Sequence, residues 1–349
     1  MRLLHVMASA PEGGAEMTML DSVKALAQSG SIQQYVVTRP NNAWRLEQFS
    51  EAGIAYATTN LNPQFRQLSR YKLARVIERF RPDIIQYWKA RAGRFTYPRY
   101  RARSLAWHGG TAHLNRLSGC DWHQGTSPEV VAELLHQGVA EDRAFAVPPF
   151  ASSTEGDSLS RAQFGVPAAA PLAVVLSRLH AKKGLHTLLE AAKSVPELHV
   201  LIAGDGVMRG ALAAQIKALG LRDRVQLLGW RNDRAALMEL ADFIICPSKI
   251  EPFGKIVIEG WAYGKPVIAA DAIGPSTLIT PGKTGLLVRR GDDEALAAAL
   301  QKLIASPQMV KELGAAGRDA YISEYGERVF TKQMMTIYEK ILETAGPFS

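Results

Sequence analysis

The sequence predicts an α/β protein made of two doubly wound domains that face a common cleft. Its 349 residues are too many for one ordinary core and suit two domains of about 150–180 residues each. Short apolar runs alternate with helical patterns, which is typical of a parallel sheet wrapped by helices. The alternation stops at a stretch rich in Pro, Ser and Gly, residues 147–167, and then restarts.

The first half shows this alternation from its second residue onward. Apolar runs predict strands at 2–8, 34–38, 54–59, 83–88 and 103–108. Amphipathic patterns predict helices at 13–30, 46–53 and 71–82, and Pro82 stops the last of them. We therefore predict a Rossmann-like N-terminal domain over residues 1–150, followed by a linker at 151–166.

The second half repeats the pattern and ends in a separate helix. Strands are predicted at 171–179, 199–206, 224–230, 242–248, 265–271 and 284–288, and helices at 184–195, 209–220, 233–241 and 293–304. These elements predict a second Rossmann-like domain over residues 167–326. A last helical pattern, 327–344, lies in a segment at 327–349 that we expect to pack back on the first domain. Ligands of such sheets bind outside the carboxyl ends of the strands.

Composition and charge indicate a cytoplasmic globular protein with an anionic partner. Apolar residues make up 47% of the chain and charged residues 21%, and no run approaches the ~18 apolar residues of a membrane helix. The N-terminus lacks the apolar run of a signal peptide. Cys120 and Cys246 are far apart, so we expect both to be reduced and buried or partly buried. The net charge of +8 favours a nucleotide, a phosphate, a nucleic acid or a membrane surface.

Two glutamates eight residues apart are the most informative local feature. Glu251 lies in a Pro/Gly turn after the predicted strand 242–248, and Glu259 lies about one turn inside the helix that follows. The first amides of that helix form an anion site, because helix N-termini leave N–H groups unpaired. Glu259 is then placed to accept hydrogen bonds from a diol such as ribose. The alternative is that Glu259 pairs with a lysine and Glu251 caps the helix, and the pattern alone leaves both open.

The segment from Glu251 to Glu259, EPFGKIVIE, resembles the Glu-x7-Glu signature of retaining glycosyltransferases of the GT-B fold, and glycosyltransferase family 4 most of all. Further motifs resemble that family: GGAE at 13–16, SRLHAKKG at 177–184, IAGDG at 202–206 and LLGW at 227–230. The resemblance covers nearly the whole second half. In the first half it depends on GGAE and on WHGG at 107–110.

The resemblance implies a role for each matching residue. Arg178 and Lys183 would neutralise the donor's diphosphate in place of a metal, so neither a metal nor a cofactor is expected. Glu251 would contact the transferred sugar and Glu259 the ribose. The catalytic set is then Glu251, His108, Arg178 and Lys183. The donor-binding set is Gly13, Gly14, Arg178, Lys183, Trp230, Arg231, Phe253, Gly254, Lys255 and Glu259.

Several of these residues have plainer interpretations that the sequence leaves open. His108, implied to contact the donor sugar, also suits a structural histidine at a strand end. Trp230 and Arg231, implied to flank the base, also suit a surface turn. Gly13 and Gly14 would let their loop approach the phosphates and the acceptor without a side chain in the way.

A basic stretch, residues 66–103, carries twelve Lys or Arg residues against Glu78 and Asp83, a net +10 by 12 − 2. Aromatic residues lie among them, as in surfaces that bind nucleic acid or anionic membranes. In the half expected to bind the acceptor, we prefer an anionic glycan or glycolipid, with an anionic membrane surface as a further partner. An ordinary solvated face is the alternative.

The predicted function is transfer of a sugar from a nucleoside diphosphate sugar to a glycan or glycolipid, with retention, in bacterial cell-surface polysaccharide or lipopolysaccharide assembly. A nucleic-acid-binding protein and a sugar-nucleotide-binding protein without transferase activity are the alternatives. A dinucleotide oxidoreductase is disfavoured, because GDGVMRG at 204–210 lacks the spacing G-x-G-x-x-G. The intact Arg178, Lys183 and Glu251 argue against loss of catalysis.

Overall fold

The computed structural model describes residues 1–9, 13–96, 102–110, 112, 114–153 and 158–344. The chain forms two compact units. The first contains residues 1–150 and the C-terminal segment from Glu327, and the second contains residues 151–326. Both are α/β, as the sequence predicts.

Within the described ranges, the first unit is built on a seven-stranded parallel sheet in the order β3-β2-β1-β4-β5-β6-β7. The strands are β1 (Arg2–Met7), β2 (Gln33–Thr38), β3 (Ala55–Thr58), β4 (Ile84–Trp88), β5 (Arg103–His108), β6 (Trp122–Gly125) and β7 (Ala144–Ala146). The strand order reverses between β1 and β4. In open α/β sheets this reversal opens a crevice at the carboxyl ends of the two strands.

The helices of the first unit are α1 (Gly14–Gln28), α2 (Ala43–Glu51), α3 (Arg66–Phe80), α4 (Lys89–Ala92), α5 (Leu114–Leu117) and α6 (Pro128–His136). The elements between 111 and 147 were not predicted from the sequence. Strand β6 reads WHQG and is fully buried. Its His and Gln interrupt the apolar run by which a buried strand is usually recognised. Strand β7 is three residues long and partly exposed, which leaves too short a pattern to recognise.

The second unit, over its described residues, contains a six-stranded parallel sheet in the order β10-β9-β8-β11-β12-β13. The strands are β8 (Leu172–Leu176), β9 (His199–Ala203), β10 (Val225–Gly229), β11 (Phe243–Cys246), β12 (Val267–Ala270) and β13 (Leu286–Val288). Here the order reverses between β8 and β11. The two strands that flank the reversal are β8, before Arg178, and β11, before Glu251.

The helices of the second unit are α7 (Leu185–Lys193), α8 (Arg209–Ala218), α9 (Arg234–Leu240), α10 (Lys255–Ala262), α11 (Ile273–Leu278), α12 (Asp293–Ile304) and α13 (Pro307–Ala320). Helix α13 was not predicted from the sequence, although Met309, Val310 and Leu313 pack on the core at helical spacing; glycine makes the rest of its contact. A Cβ added to Gly317 would lie 2.3 Å from Cδ1 of Trp261. The indole therefore occupies the space that a side chain would need.

The last helix, α14 (Glu327–Thr344), supplies one face of the first unit's core. Its buried residues Phe330, Met334 and Ile341 belong to the same apolar cluster as Leu3 and Trp122 of the sheet. Helix α14 therefore completes the burial of β1 and β6.

Polar side chains cross the interior of the first unit next to that core. The indole of Trp88 donates to Nδ1 of His5 at 3.1 Å, and Nε2 of His5 then donates to Oε1 of Gln34 at 3.0 Å. The imidazole is fully buried. Burial lowers the pKa of His5 to about 4, even though its bond to Gln34 acts in the opposite direction. His5 is therefore neutral at physiological pH.

Both cysteines, Cys120 and Cys246, are free and buried, which confirms the prediction. Burial raises the pKa of each thiol to about 12. Among the helices in the described ranges, none is long and apolar enough to cross a membrane.

Candidate active site

The switch point of the second sheet collects three residues of the predicted site. The loop after β8 carries Arg178 and Lys183, and the loop after the neighbouring β11 carries Glu251. Because both strands are parallel, the two loops leave the sheet at the same carboxyl edge. Residues far apart in sequence thus share one edge at the position where such sheets bind ligands.

Lys183 and Glu251 form a close ion pair at this edge. The Lys183 Nζ lies 2.5 Å from Oε2 of Glu251, and the same oxygen accepts a hydrogen bond from Oγ of Ser248 at 3.1 Å. Both charged side chains are largely buried, with 19% and 14% exposure. At such burial the charges are less screened than at an open surface, so each side chain holds the other in position.

Gly184 makes the close approach of these two loops possible. It has a φ of +65°, and a Cβ on it would lie 1.8 Å from the carbonyl oxygen of Pro247. Beside it, the carbonyl of Lys182 accepts hydrogen bonds from the amides of Lys249 and Ile250 at 2.9 and 3.1 Å. The turn that carries Lys183 is therefore fastened to the backbone that leads to Glu251.

Arg178 differs from Lys183 because it is exposed. Within the part of the chain that the structure describes, its guanidinium makes no hydrogen bond or ion pair. Its loop is nevertheless fixed, since the Leu179 amide donates to the carbonyl of Asp205 at 2.9 Å. A Cβ on Gly204 would lie 1.9 Å from the carbonyl oxygen of Ser177. A fixed backbone therefore presents an available cation.

The start of α10 lies beside this ion pair in the chain. Gly254, with a φ of +89°, is the N-cap, and α10 begins at Lys255. The amides of Phe253, Gly254 and Lys255 are thus at the N-terminus of the helix, as predicted, where donors lack intrahelical partners. The amide of Gly274 donates to the carbonyl of Glu251 at 2.9 Å, which holds the turn between β11 and α10.

Glu259 lies in α10 and pairs with an arginine that the sequence reasoning missed. Its Oε2 accepts a hydrogen bond from Nη2 of Arg234 at 2.7 Å, while Nζ of Lys255 is 3.9 Å from Oε1. Arg234 is the first residue of α9, which follows the loop after β10. The pair therefore joins the loop that carries Trp230 and Arg231 to the helix that carries Glu259.

Trp230 and Arg231 are placed differently within their loop. Trp230 is 43% exposed, and its indole N–H donates to Oδ1 of Asn232 at 3.0 Å. Arg231 forms a two-point pair with Asp233, and these hydrogen bonds raise the pKa of Arg231. The indole face is thus accessible, while the guanidinium already has a carboxylate partner.

The switch point of the first sheet contains a second ion pair, with a buried carboxylate and a half-buried lysine, which the sequence did not predict. Nζ of Lys89, after β4, lies 2.6 Å from Oε1 of Glu16 in α1, and Glu16 is only 4% exposed. Burial raises the pKa of Glu16, but the Lys89 charge and hydrogen bonds outweigh it and hold the pKa below its usual range. Lys89 has a left-handed φ of +68°, a conformation that costs a non-glycine residue about 1–3 kcal/mol and is common at functional sites.

Gly13 and Gly14 stand beside this pair at the start of α1. Gly13 is the N-cap, and a Cβ on it would lie 3.0 Å from Oε2 of Glu16. A Cβ on Gly14 would meet nothing within 4 Å, so that side of the helix start is open. Residues 10–12, which lead into it, lie outside the described residues.

His108 ends β5 and is buried. Its Nε2 lies 3.0 Å from Nδ1 of His123 on the neighbouring strand β6, so one ring donates to the other. Burial lowers the pKa of His123, which keeps that ring neutral. His108 therefore lies at the carboxyl edge of the first sheet with its orientation set from within the unit.

The basic stretch lies largely on α3 and the turns after β4. Four members of the predicted surface, Tyr97, Arg99, Tyr100 and Arg101, lie outside the described residues. In the described ranges, no group of three or more His, Cys, Asp or Glu side chains has the arrangement of a metal site.

Four residues of these clusters escaped the sequence reasoning: Glu16, Lys89, Arg234 and Ser248. Each follows a strand end or opens a helix, and that placement was the available signal. Glu16 stands in the quoted GGAE motif and Lys89 directly follows the predicted strand 83–88. The partners of Glu16, Lys89 and Arg234 are distant in sequence, so only the strand order brings these pairs together.

Comparison with known proteins relates this chain to one family. Residues 157–320 match the family described as Glycosyl transferases group 1. A lipopolysaccharide core biosynthesis glycosyltransferase, LpsD of Rhizobium meliloti (strain 1021), is 30% identical over 341 residues, which are 97% of this chain and 98% of the relative. LpsE of the same organism, also named a lipopolysaccharide core biosynthesis glycosyltransferase, is 27% identical over 92% of this chain and 94% of its own length.

Solved structures share the whole fold. Anabaena Alr3699/HepE, crystallised with UDP and glucose, has a TM-score of 0.82 at 21% identity, over 97% of this chain and 99% of its own. Sucrose-phosphate synthase from Thermosynechococcus elongatus has a TM-score of 0.82 at 20% identity, over 99% of this chain and 100% of its own. At these identities the likeness concerns the fold.

Proposed function

This chain belongs to the glycosyl transferases group 1 family, and from that premise we propose that it transfers a sugar, with retention, from a nucleoside diphosphate sugar to a lipopolysaccharide core acceptor. It is a glycosyltransferase. The donor class is suggested by the structurally similar HepE, which was crystallised with UDP and UDP-glucose. The acceptor class is suggested by the names of LpsD and LpsE. Retention is proposed from the resemblance of the Glu251-to-Glu259 spacing to retaining enzymes of family 4.

One observation carries the proposal. The buried pair Lys183–Glu251 and the accessible Arg178 lie at the carboxyl edge of the second sheet, beside its switch point. When the bond between sugar and diphosphate breaks, the leaving group gains negative charge. Fixed cations stabilise that charge more in the transition state than in the ground state, which is what accelerates a reaction. We assign this role to Arg178 and Lys183, without a metal.

The two glutamates bind different parts of the donor. Glu251 stands in the turn after β11 and contacts the transferred sugar, while Lys183 and Ser248 keep its carboxylate in place. Glu259 accepts from the ribose hydroxyls and retains Arg234 as its second partner. The exposed indole of Trp230 offers a stacking surface for the base.

The first unit provides the acceptor side. The open start of α1 at Gly14 and the ion pair Glu16–Lys89 contribute to the acceptor's surroundings. The membrane that carries a glycolipid acceptor faces the first unit. Around α3, exposed Phe65, Leu68 and Tyr71 stand among basic residues, the composition of a surface that docks on anionic lipids. The proposal therefore includes docking of the enzyme on the cytoplasmic face of the membrane through this surface.

A screen of UDP-, GDP- and ADP-sugars tests the proposal, with donor hydrolysis and thermal stabilisation as readouts. The variant Arg178→Ala with Lys183→Ala should remain folded and lose turnover. A matched control, Lys193→Ala with Lys217→Ala, removes the same charge at the C-terminal parts of α7 and α8, and should behave as wild type. A donor-site variant that keeps more than about a tenth of wild-type turnover, a barrier change below about 1.4 kcal/mol, contradicts the assignment.

The same assay tests metal independence. Turnover should persist in EDTA, because the positive charge that opposes the diphosphate comes from Arg178 and Lys183. Complete loss of turnover in EDTA, with recovery on adding magnesium or manganese, would overturn this part of the proposal.

A further inference from the structure

A basic pocket opens on the first unit, formed by α3, the turn after α4 and α5. Its volume is about 460 Å³, and it is lined by four arginines, Arg66, Arg70, Arg94 and Arg116. The other lining residues are small or polar and uncharged. The lining residues named here all belong to the first unit, whereas Arg178, Lys183 and Glu251 belong to the second.

The pocket is built on rigid supports. Leu73 of α3, Phe95 of the turn and Leu117 of α5 lie in one buried apolar cluster. The turn and α5 touch so closely that a Cβ on Gly93 would lie 2.1 Å from the carbonyl oxygen of Arg116. The three segments that carry the arginines are thus fixed relative to one another before any ligand arrives.

The arrangement of charge is unfavourable without an anion. In the described ranges, Arg66, Arg94 and Arg116 are exposed and form no ion pair. The Nη2 of Arg70 donates to the carbonyls of Arg94 and Thr96 at 3.4 and 3.3 Å, which turns this guanidinium toward the turn. Arg66 and Arg70 are four residues apart on α3, a spacing at which like charges destabilise a helix. An anion with several oxygens removes this repulsion.

We propose that this pocket binds a phosphate group. Guanidinium groups present donors in a planar fork that matches phosphate oxygens in pairs, and the uncharged polar lining supplies further hydrogen bonds. A concave volume of this size takes a phosphate with the sugar that bears it, whereas a flat bilayer cannot enter it. The phosphate therefore belongs to the acceptor glycan, an identification that depends on the proposed function, while phosphate binding itself does not.

Pyrophosphate is the probe for the soluble arm of the test. Calorimetry is done in the background Arg178→Ala with Lys183→Ala, so that the donor edge cannot bind the probe. The pocket variant adds Arg66→Gln, Arg94→Gln and Arg116→Gln. The control variant adds Lys72→Gln, Arg79→Gln and Arg91→Gln, which removes the same charge from exposed residues of the basic stretch that do not line the pocket. Thermal unfolding checks that both variants fold.

The pocket variant should bind pyrophosphate at least about tenfold more weakly, a loss of about 1.4 kcal/mol, because three guanidinium contacts are lost together. The affinity of the control variant should stay within about twofold of the background protein, as expected for charges that act only at long range and are screened. A third variant, Arg66→Lys with Arg94→Lys and Arg116→Lys, keeps the charge but loses the planar fork of donors. Its affinity for pyrophosphate should lie between those of the pocket variant and the control variant. This variant keeps the test decisive if the glutamine variant unfolds.

Flotation with phosphatidylcholine vesicles, with and without phosphatidylglycerol, separates the two sources of phosphate. Loss of pyrophosphate binding in the pocket variant, with vesicle binding unchanged, assigns the pocket to a phosphate on a soluble or glycan ligand. Loss of vesicle binding in the pocket variant but not in the control assigns it to a lipid headgroup. Equal losses in the pocket and control variants, or no loss in either, overturn the proposal.

Discussion

Replacing Gly184 with alanine tests whether the contact between two loops sets the geometry of the candidate active site. The new Cβ would lie 1.8 Å from the carbonyl oxygen of Pro247, and Cβ contacts below 3.0 Å essentially never occur. The turn must therefore retreat by about 1.2 Å (3.0 − 1.8). The obstacle is backbone, so no side-chain rotation relieves it. The retreat moves Lys183, the neighbouring residue, away from Glu251.

A matched control separates this contact from the cost of the backbone conformation. Gly220 has a φ of +68°, close to the +65° of Gly184, but a Cβ on it would meet nothing within 4 Å. Gly220→Ala should cost about 1 kcal/mol for the left-handed conformation alone. Gly184→Ala should cost a further ~1–3 kcal/mol for overpacking.

Activity should separate the two variants more strongly than stability does. A shift of about 1 Å in a catalytic group lowers turnover by on the order of 10²-fold, so Gly184→Ala should lose turnover to that extent. Gly220→Ala should retain it. Thermal unfolding and donor hydrolysis, measured on both proteins, give the comparison. Equal unfolding temperatures and equal turnover in the two variants would refute the reasoning.

Two further predictions concern buried polar groups. Glu259→Gln should weaken binding of the free nucleoside diphosphate, and Glu251→Gln should mainly lower turnover, each by about 1.5–3 kcal/mol for one charge-assisted hydrogen bond; an equal loss of affinity in both, by calorimetry, would mean that the division of roles is wrong. The pKa of His5 is lowered from 6.5 to about 4. As the pH falls, this residue is therefore protonated in the unfolded chain before it is protonated in the folded protein. The stability due to neutral His5 is complete above pH 6.5 and is lost as the pH falls through 4, by up to about 3 kcal/mol. The urea midpoint of His5→Gln should therefore fall less steeply with acid than that of wild type, and parallel profiles would contradict this.

Much of the fold could be predicted because the pattern that specifies it is local. The predicted helix at 293–304 and the predicted strand at 103–108 coincide with α12 and β5, since an amphipathic spacing or a short apolar run is visible in one segment without its partners. Strand β6 and helix α13 were missed because part of their packing depends on residues outside the segment. The burial of Gln124 and the contact between Gly317 and Trp261 depend on what packs against them, and no local pattern records that.

The sequence by itself determined the turn chemistry and the helix start of the candidate active site: Glu251 in its turn, Gly254 before α10, and Gly184 after Lys183. These depend on backbone conformations that a few neighbouring residues specify. Only the tertiary structure decided which charges pair. Lys183 and Glu251 are 68 residues apart, Arg234 and Glu259 are 25 apart, and Lys89 and Glu16 are 73 apart. Each pair forms because the order of parallel strands brings distant loops and helix ends together, and strand order is a property of the whole sheet rather than of any segment.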